Sequence, residues 1–230
     1  MTGPGLQLDG LAARLQGRRL FAPLSLTVLP GQVTTVMGPS GGGKSTLLAL
    51  VCGALDPAFQ GQGRVLVDGI DVTGIPTERR RIGILFQEPL LFPHLSVAGN
   101  LAFGLPAGVK GRRARAARVN DALRAADLDG FGARHPATLS GGQRARIAVL
   151  RTLLSEPLAL LLDEPFSGLD AGTRTRFRET VFDAVRRRGL PTLLVTHDAG
   201  DAEAAGGPVV QLLPEPAAEA GPNGNGKSPL

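Results

Sequence analysis

A glycine-rich run at residues 38–46 constrains the fold of this chain more than any other feature. It follows the branched apolar run Val33–Met37 and precedes the helical pattern Lys44–Ala54. Glycines in such a loop let backbone N–H groups converge on phosphate oxygens, and the N-terminus of the next helix adds its positive dipole end. Lys44 is placed to reach the β- and γ-phosphates, and the Ser45 hydroxyl to ligate Mg²⁺. The predicted nucleotide-phosphate site comprises Gly38, Pro39, Ser40, Gly41, Gly42, Gly43, Lys44, Ser45 and Thr46.

A pair of carboxylates follows a second apolar run, Leu160–Leu162. Asp163, at the end of the expected strand, is of the type that holds Mg²⁺, usually through water. Glu164 would lie near the γ-phosphate and orient or deprotonate the attacking water. An apolar run ending in Asp-Glu is by itself often a strand that enters a surface turn. Combined with the loop that begins at Gly38, it predicts nucleotide hydrolysis.

Apolar runs and helical patterns alternate along the chain. Continuous runs rich in branched residues are typical of parallel strands buried on both faces, and their alternation with helices predicts an α/β fold. The predicted strands are Val33–Met37, Ile82–Phe86, Leu158–Leu162 and Thr192–Thr196. The predicted helices are Lys44–Ala54, Ser96–Ala102, Arg115–Ala126, Arg144–Leu154 and Thr173–Arg187.

Two segments depart from this alternation. The first thirty residues predict short β-strands, and between Pro89 and Pro157 the strand signal disappears in favour of helices. We therefore expect a P-loop nucleotide-hydrolase core with a RecA-like parallel sheet, an N-terminal β-subdomain and an inserted α-helical subdomain. The expected bounds are 1–88 and 158–213 for the core, 89–157 for the helical subdomain and 214–230 for a disordered tail.

The net charge of +5 comes almost entirely from arginine. Basic clusters at Arg79–Arg81, Arg112–Arg118 and Arg186–Arg188 would suit a nucleic-acid or anionic-lipid surface. The last two lie on expected helices, where we interpret them as solvated faces that complement the helix dipoles, so no specific nucleic-acid partner is predicted. Cys52, the single cysteine, is interpreted as a small buried hydrophobe.

Nothing in the sequence predicts a membrane span or a secretory leader. Nowhere do about 18 apolar residues run together, and the first ten residues lack the basic and apolar regions of a signal peptide. If the protein works at a membrane, we expect it to dock onto the helices of another protein.

The segment Leu139-Ser140-Gly141-Gly142-Gln143 separates this chain from kinases, GTPases, helicases and recombinases, which share the phosphate loop. It resembles the signature motif of ATP-binding cassette (ABC) proteins. Ser140 is placed to cap a helix that runs to Leu154, and the backbone N–H groups of Gly141 and Gly142 would offer a second anion site at its start. The residues assigned to this second nucleotide contact are Ser140, Gly141, Gly142 and Gln143.

The resemblance extends from about Leu6 to Leu213. Gln87 matches the glutamine loop, Ser167–Asp170 the segment after the hydrolytic glutamate, and His197 the switch histidine. The resemblance implies that Gln87 contributes to Mg²⁺ and water binding and that His197 contacts the γ-phosphate. It also implies that Asp170 communicates across a dimer.

The resemblance further implies partners. Two cassettes, a homodimer in the simplest case, would close with ATP between the phosphate loop of one and the signature of the other. Three segments resemble importer subunits of the thiamine, iron and polyamine uptake type, and of the YnjD-like group: Ile82–Gln87, Ala137–Arg146 and Leu161–Ser167. We therefore expect a peripheral subunit on the cytoplasmic face of the inner membrane, with a multi-span permease and, through it, an extracytoplasmic solute-binding protein. The segment Leu90–Phe103 is where a permease would dock, although a loop packed onto its own core is the alternative.

Three other interpretations remain open. A cassette ATPase acting on DNA or ribosomes would use the same motifs, a scaffold protein would bind nucleotide without turnover, and an exporter would transport in the opposite direction. One departure from the family also matters. Many importer cassettes stack adenine on an aromatic residue about two dozen positions before the phosphate loop, whereas this chain has no Tyr or Trp and its first Phe is Phe21. We expect weak base stacking, with Leu15 or an arginine in that place.

Overall fold

Two five-stranded sheets organise the chain in the computed structural model, which describes residues 5–214. The predicted disordered tail lies outside the described residues apart from Pro214. The strands are β1 (Leu6–Leu15), β2 (Arg18–Arg19), β3 (Leu24–Val28), β4 (Val33–Met37), β5 (Phe59–Val67), β6 (Ile70–Asp71), β7 (Ile82–Leu85), β8 (Ala159–Asp163), β9 (Thr192–Val195) and β10 (Val209–Gln211). The α-helices are α1 (Lys44–Cys52), α2 (Val97–Gly104), α3 (Arg112–Ala125), α4 (Gly141–Leu154), α5 (Ala171–Arg188) and α6 (Ala199–Ala205).

The core sheet is wholly parallel, in the order β10-β4-β9-β8-β7. Its inner strands, β4, β9 and β8, are buried on both faces because successive side chains alternate between two hydrophobic clusters. Leu161 and Leu193 point into a cluster with α1 and the antiparallel sheet. Leu162 and Leu194 point into a cluster with α4 and α5. The predicted α/β class with a buried parallel sheet is confirmed.

The second sheet is antiparallel and contains the predicted N-terminal strands. Its long central strand, β1, pairs with β2, β3 and β5, and β6 pairs with β5. The sequence did not predict β5, because its first residues, Phe59–Gly63, are glutamine- and glycine-rich and do not favour strands. The strand forms because its backbone pairs along nearly the whole of β1. The short elements α6 and β10 were missed as well.

The segment between β7 and β8 contains only helices in the described residues. Val97, Leu101 and Val119 form a separate hydrophobic cluster there with Ile147 of α4. The opposite side of α4 packs into the core through Ala148 and its neighbours. This helix therefore joins the helical layer to the parallel sheet, and the bounds 89 and 157 stay a prediction. Within residues 5–214, none of the helices combines the length and apolar character needed to cross a bilayer.

Helix ends explain where the predicted bounds were wrong. α1 ends at Cys52 rather than at residue 54, because Gly53 adopts a left-handed conformation (φ 81°) and its N–H bonds to the last turn.

α3 begins at Arg112, so its first arginines lie at the positive end of the helix dipole. The interpretation that this cluster complements the dipole was therefore wrong, whereas Arg186 and Arg187 do lie in the last turn of α5. Cys52 is buried as predicted.

A buried arginine binds the carbonyl groups at the C-terminal end of α1. Arg80 is only 7% exposed, and its guanidinium donates to the carbonyl oxygens of Leu50 (3.2 Å), Val51 (2.8 Å), Ile75 (2.7 Å) and Thr73 (2.5 Å). Carbonyl groups at a helix C-terminus carry partial negative charge, so they stabilise the cation without a carboxylate. Arg80 thereby holds the helix that follows the phosphate loop.

We expect Arg80→Met to lower the free energy of unfolding by about 2–4 kcal/mol, because it leaves several buried carbonyl groups unpaired. Urea denaturation of the purified chain measures this. The matched control is Arg79→Met, since Arg79 is exposed, and its effect should stay within about 0.5 kcal/mol. Equal stability of the two variants would show that Arg80 does not hold α1.

Candidate functional site

The glycine-rich loop lies between β4 and α1, as the sequence predicts. Lys44 begins α1 and is 7% exposed. Its Nζ donates to the carbonyl oxygens of Gly38 and Pro39, at 3.0 Å each, so the cation lies across the loop. A pocket of about 410 Å³ opens beside it. The pocket is lined by Leu15, Leu20, Ser40, Gly41, Gly43, Lys44, Ser45, Thr46, Phe59 and Glu164.

Gly43 is a loop position that requires glycine for two reasons. Its φ of 84° is a left-handed conformation that L side chains rarely adopt. A Cβ atom there would also lie 2.7 Å from Cδ1 of Phe21, which is completely buried. The loop can therefore turn into α1 only with glycine at this position.

The tertiary structure brings the second predicted element to the loop. Asp163 ends β8, and the Ser45 hydroxyl donates to its Oδ1 at 3.4 Å. Burial raises the pKa of the Asp163 carboxyl, and the neighbouring Glu164 adds to this effect, while the bond from Ser45 and the charge of Lys44 oppose it. A carboxylate and a hydroxyl are both hard oxygen ligands, the kind that Mg²⁺ prefers. The pair is therefore suited to bind Mg²⁺ together with phosphate oxygens. In the described residues no group of three or more His, Cys, Asp or Glu side chains forms a metal site by itself.

Glu164 occupies a strained backbone position directly after β8. Its φ is 46°, which is uncommon for a residue other than glycine, and its N–H donates to the carbonyl oxygen of Val195 at 2.9 Å. Its Oε1 lies 3.1 Å from Nδ1 of His197. The Glu164 side chain is 22% exposed and that of His197 is 61% exposed. The two residues predicted to act on the γ-phosphate are therefore in contact and open to solvent on one side.

Gln87 contacts the segment that follows Glu164. It follows β7, and its Nε2 donates to the Ser167 hydroxyl at 3.0 Å. The glutamine loop is thereby linked to residues 167–170, which lead into α5. Asp170 caps that helix, because its Oδ1 accepts from the Thr173 N–H at 3.0 Å. This bond lowers the pKa of Asp170.

A polar network that the sequence did not predict is centred on Asp198, the residue after His197. Asp198 caps α6 by accepting from the N–H groups of Gly200 and Asp201. Its carboxylate also pairs with Arg174 (3.0 Å) and Arg178 (3.4 Å) of α5. Arg174 in addition donates to the carbonyl oxygen of Leu169, at 3.3 Å. The spacing of the two arginines, one helical turn apart, is a signal that could have identified them.

We expect Asp198→Ala to lower the free energy of unfolding at neutral pH by about 1–2 kcal/mol, through loss of the helix cap and its ion pairs. Burial by itself would raise the pKa of Asp198, but the two N–H bonds and the arginines lower it below its usual 3.8. A lowered pKa means that the stabilisation is present above 3.8 and is lost as the pH falls through the folded-state value. Urea denaturation at pH 7 and near pH 3 checks this, and an equal difference between variant and wild type at both pH values would contradict it.

The signature segment forms a helix cap at the surface. The Ser140 hydroxyl accepts from the Gln143 N–H at 3.3 Å, and the Gln143 side chain accepts from the Ser140 N–H at 3.0 Å. Ser140 and Gly141 are exposed. A Cβ at Gly142 would lie 2.6 Å from Cγ2 of Thr173, so the start of α4 lies against α5. These residues do not line the pocket beside the phosphate loop.

The segment predicted to receive a permease is partly core and partly surface. Val97 and Leu101 of α2 are buried, whereas Leu90 is 53% and Phe103 67% exposed. Asn100 is buried and bonds to backbone groups of the preceding loop, including the N–H and carbonyl of Phe92. Part of the segment is therefore packed onto the core, as the alternative interpretation expected, and docking of a permease on its exposed residues stays a prediction.

Comparisons with known proteins agree with the family that the sequence motifs resemble. A family model described as "ABC transporter" matches residues 21–167, more than half of the chain. The chain is 48% identical over 199 residues to the uncharacterized ABC transporter ATP-binding protein YnjD of Escherichia coli (strain K12), covering 86% of this chain and 91% of that protein. It is 39% identical to the taurine import ATP-binding protein TauB of Pseudomonas fluorescens, covering 92% of this chain and 78% of the relative.

Other similarities are partial in length or distant in sequence. The iron(III) import ATP-binding protein FbpC 1 of Rhizobium meliloti is 41% identical over 86% of this chain, which spans 56% of that relative. A solved dimeric structure of MJ0796, described as a bacterial ABC transporter cassette, has a TM-score of 0.76 at 28% identity and covers 90% of this chain and 94% of the other. A post-hydrolysis structure of MJ0796 bound to ADP and Pi gives the same values.

Proposed function

The chain belongs to the ABC transporter family as an ATP-binding and ATP-hydrolysing subunit, and we propose that it drives an importer through a separate membrane permease. The observation that carries the nucleotide-hydrolysing part of this function is the meeting of the two nucleotide motifs, with the Ser45 hydroxyl 3.4 Å from the Asp163 carboxylate. Glu164 follows Asp163 directly and lines the same pocket as the phosphate loop. Glu164 and the phosphate loop thus face one space.

We assign the steps of hydrolysis to named residues. The backbone of residues 38–46 and the Lys44 ammonium would hold the phosphates, while Ser45, Asp163 and Gln87 would hold Mg²⁺, whose charge stabilises the phosphoryl group in transfer. Glu164 would accept the proton of the attacking water. His197, 3.1 Å from Glu164, would contact the γ-phosphate. Catalysis would rest on positioning and charge neutralisation.

We infer that the second half of the nucleotide site comes from another cassette. The capped N-terminus of α4 is exposed and offers the N–H groups of Gly141 and Gly142 as an anion site, away from the chain's own phosphate loop. A second copy of this chain, facing the first head to tail, would place this helix start over the γ-phosphate. The dimeric structures of MJ0796 support the pairing of two cassettes.

The direction of transport and the partners rest on the relatives. Two of them are import proteins, for taurine and iron(III), so we propose import through a permease docked on the exposed part of the segment Leu90–Phe103. An extracytoplasmic solute-binding protein would then deliver the solute, and the chain would lie on the cytoplasmic face of the inner membrane. A function on nucleic acid or ribosomes is the second candidate, supported only by the arginine content.

Co-purification tests the proposal. We would capture tagged Glu164→Gln chain in mild detergent with ATP and identify the chains that accompany it. The expected result is a multi-span membrane protein, recovered in smaller amount with Lys44→Met, which should bind ATP about 10- to 100-fold more weakly. Recovery of nucleic acid, ribosomes or only non-membrane proteins would overturn the transport function. ATP-dependent solute uptake, rather than extrusion, in vesicles containing the recovered permease would establish import.

A further inference from the structure

The nucleotide pocket continues past the phosphate loop along an apolar wall. Leu15, Leu20 and Phe59 line it, whereas its other lining residues belong to the loop and α1 or, in the case of Glu164, follow β8. A nucleotide whose phosphates occupy the loop would extend its sugar and base in this direction. The wall is hydrocarbon, so it can contact the flat faces of a base but offers no side-chain donor or acceptor to its edges.

The antiparallel sheet builds this wall from two strands that are far apart in sequence. Leu15, the last residue of β1, is directly opposite Phe59, the first residue of β5. Directly opposite residues of an antiparallel pair project on the same face with their Cβ atoms about 5 Å apart. Leu20 is tied to β1 because its N–H donates to the Ala13 carbonyl oxygen at 2.9 Å. The three side chains therefore form one surface.

Phe59 is available to a ligand. It is partly exposed, as is Leu15, and both stand outside the three hydrophobic clusters of the described residues, whereas Leu20 packs against the largest of them. In the part of the chain that the structure describes, Phe59 is the one aromatic residue that lines this pocket. The whole sequence contains no Tyr or Trp. Aromatic stacking on a bound base can thus come from this side chain.

We propose that Phe59, supported by Leu15 and Leu20, is the seat of the nucleotide base, an inference that rests on the proposed function. The aromatic ring comes from β5 instead of β1, where the family resemblance leads us to expect it and where this chain has Leu15. Because the seat is hydrocarbon, it stacks adenine and guanine alike. Phe59 therefore contributes to affinity for purine nucleotides, and the seat does not discriminate ATP from GTP.

Calorimetric titration of the full chain in EDTA, where no turnover interferes, tests the base seat. The probes are ATP, GTP and inorganic tripolyphosphate. Phe59→Ala should weaken the affinity for ATP and the affinity for GTP by about 10-fold each, which is within the range of one aromatic–base stack. Its affinity for tripolyphosphate should be unchanged. Phe59→Trp should restore or tighten nucleotide binding. The matched control is Ile70→Ala, an exposed apolar residue of the same sheet, which should change none of the three affinities.

The outcomes separate the base seat from the proposed function. If Phe59→Ala and wild type bind ATP equally, or if wild type prefers ATP over GTP by more than about 10-fold, the base seat is wrong while the proposed function stands. If the wild-type chain binds neither ATP nor tripolyphosphate, in EDTA or with Mg²⁺ added, both are overturned. If Phe59→Ala melts well below the Ile70→Ala control, Phe59→Leu replaces it, because leucine keeps the apolar bulk. This variant should also have a lower affinity for ATP and GTP and an unchanged affinity for tripolyphosphate.

Discussion

Glu164→Gln should retain ATP binding and lose about 10²- to 10⁴-fold in hydrolysis rate, which corresponds to about 3–5 kcal/mol in the activation barrier. Glutamine has the size of the native side chain and can keep the contact with His197, which lies 3.1 Å away in the wild type. It cannot accept the proton of the attacking water, because the amide is a very weak base. Phosphate release measured with ATP and Mg²⁺, together with a separate ATP-binding titration, gives both quantities.

The matched control for this variant is Glu156→Gln. Glu156 is also a glutamate with a left-handed backbone (φ 52°), but it is exposed and pairs with Arg118 at the surface. Its replacement should leave turnover within about two-fold of wild type, since an exposed ion pair contributes at most about 1 kcal/mol to stability and nothing to the site. Near wild-type turnover by Glu164→Gln would move the general base to another residue.

Lys44→Met should weaken ATP binding by about 10- to 100-fold, the effect expected for loss of charge-assisted hydrogen bonds to phosphate. Methionine retains the apolar stem, which is buried at the start of α1. The bonds from Nζ to the Gly38 and Pro39 carbonyls are lost as well. The Pro39 carbonyl keeps its bond from the Gly42 N–H at 3.1 Å, so the loop should remain folded.

Titration with ATP and a thermal melt of the ligand-free chain separate binding from stability in this variant. Lys110→Met is the control, because Lys110 is one of only three lysines and is exposed. It should bind ATP like wild type. If Lys44→Met bound ATP with unaltered affinity, the assignment of Lys44 to the phosphates would be refuted.

Features encoded in contiguous residues were predicted from the sequence. The loop at residues 38–46 and the helix that starts at Lys44 were placed correctly, because phosphate binding requires glycines directly before a helix. The Ser140 cap was found for a similar reason, since a capping box involves only residues three positions apart. The β4 bounds agreed to the residue, because four of its five residues are β-branched valines and threonines, which favour a buried strand.

Weak local signals explain what was missed. After Phe59, the next four residues of β5 are glutamines and glycines, so its local composition gives no prediction, and the strand exists because β1 pairs with it. The place of Phe59 beside Leu15 follows from that pairing alone. The N-terminal bound of α3 was placed too late, because Arg112–Ala114 contain no apolar residue that faces the core.

The sequence by itself determined the family resemblance, the phosphate loop and the residue types of the site. Only the tertiary structure decided which of them meet. Ser45 contacts Asp163, and Gln87 contacts Ser167, across 118 and 80 residues of sequence. These contacts depend on the order and register of the parallel strands, which the packing of both sheet faces sets jointly. A local pattern specifies a helix start or a buried strand, but the neighbours of that strand are chosen by the whole core.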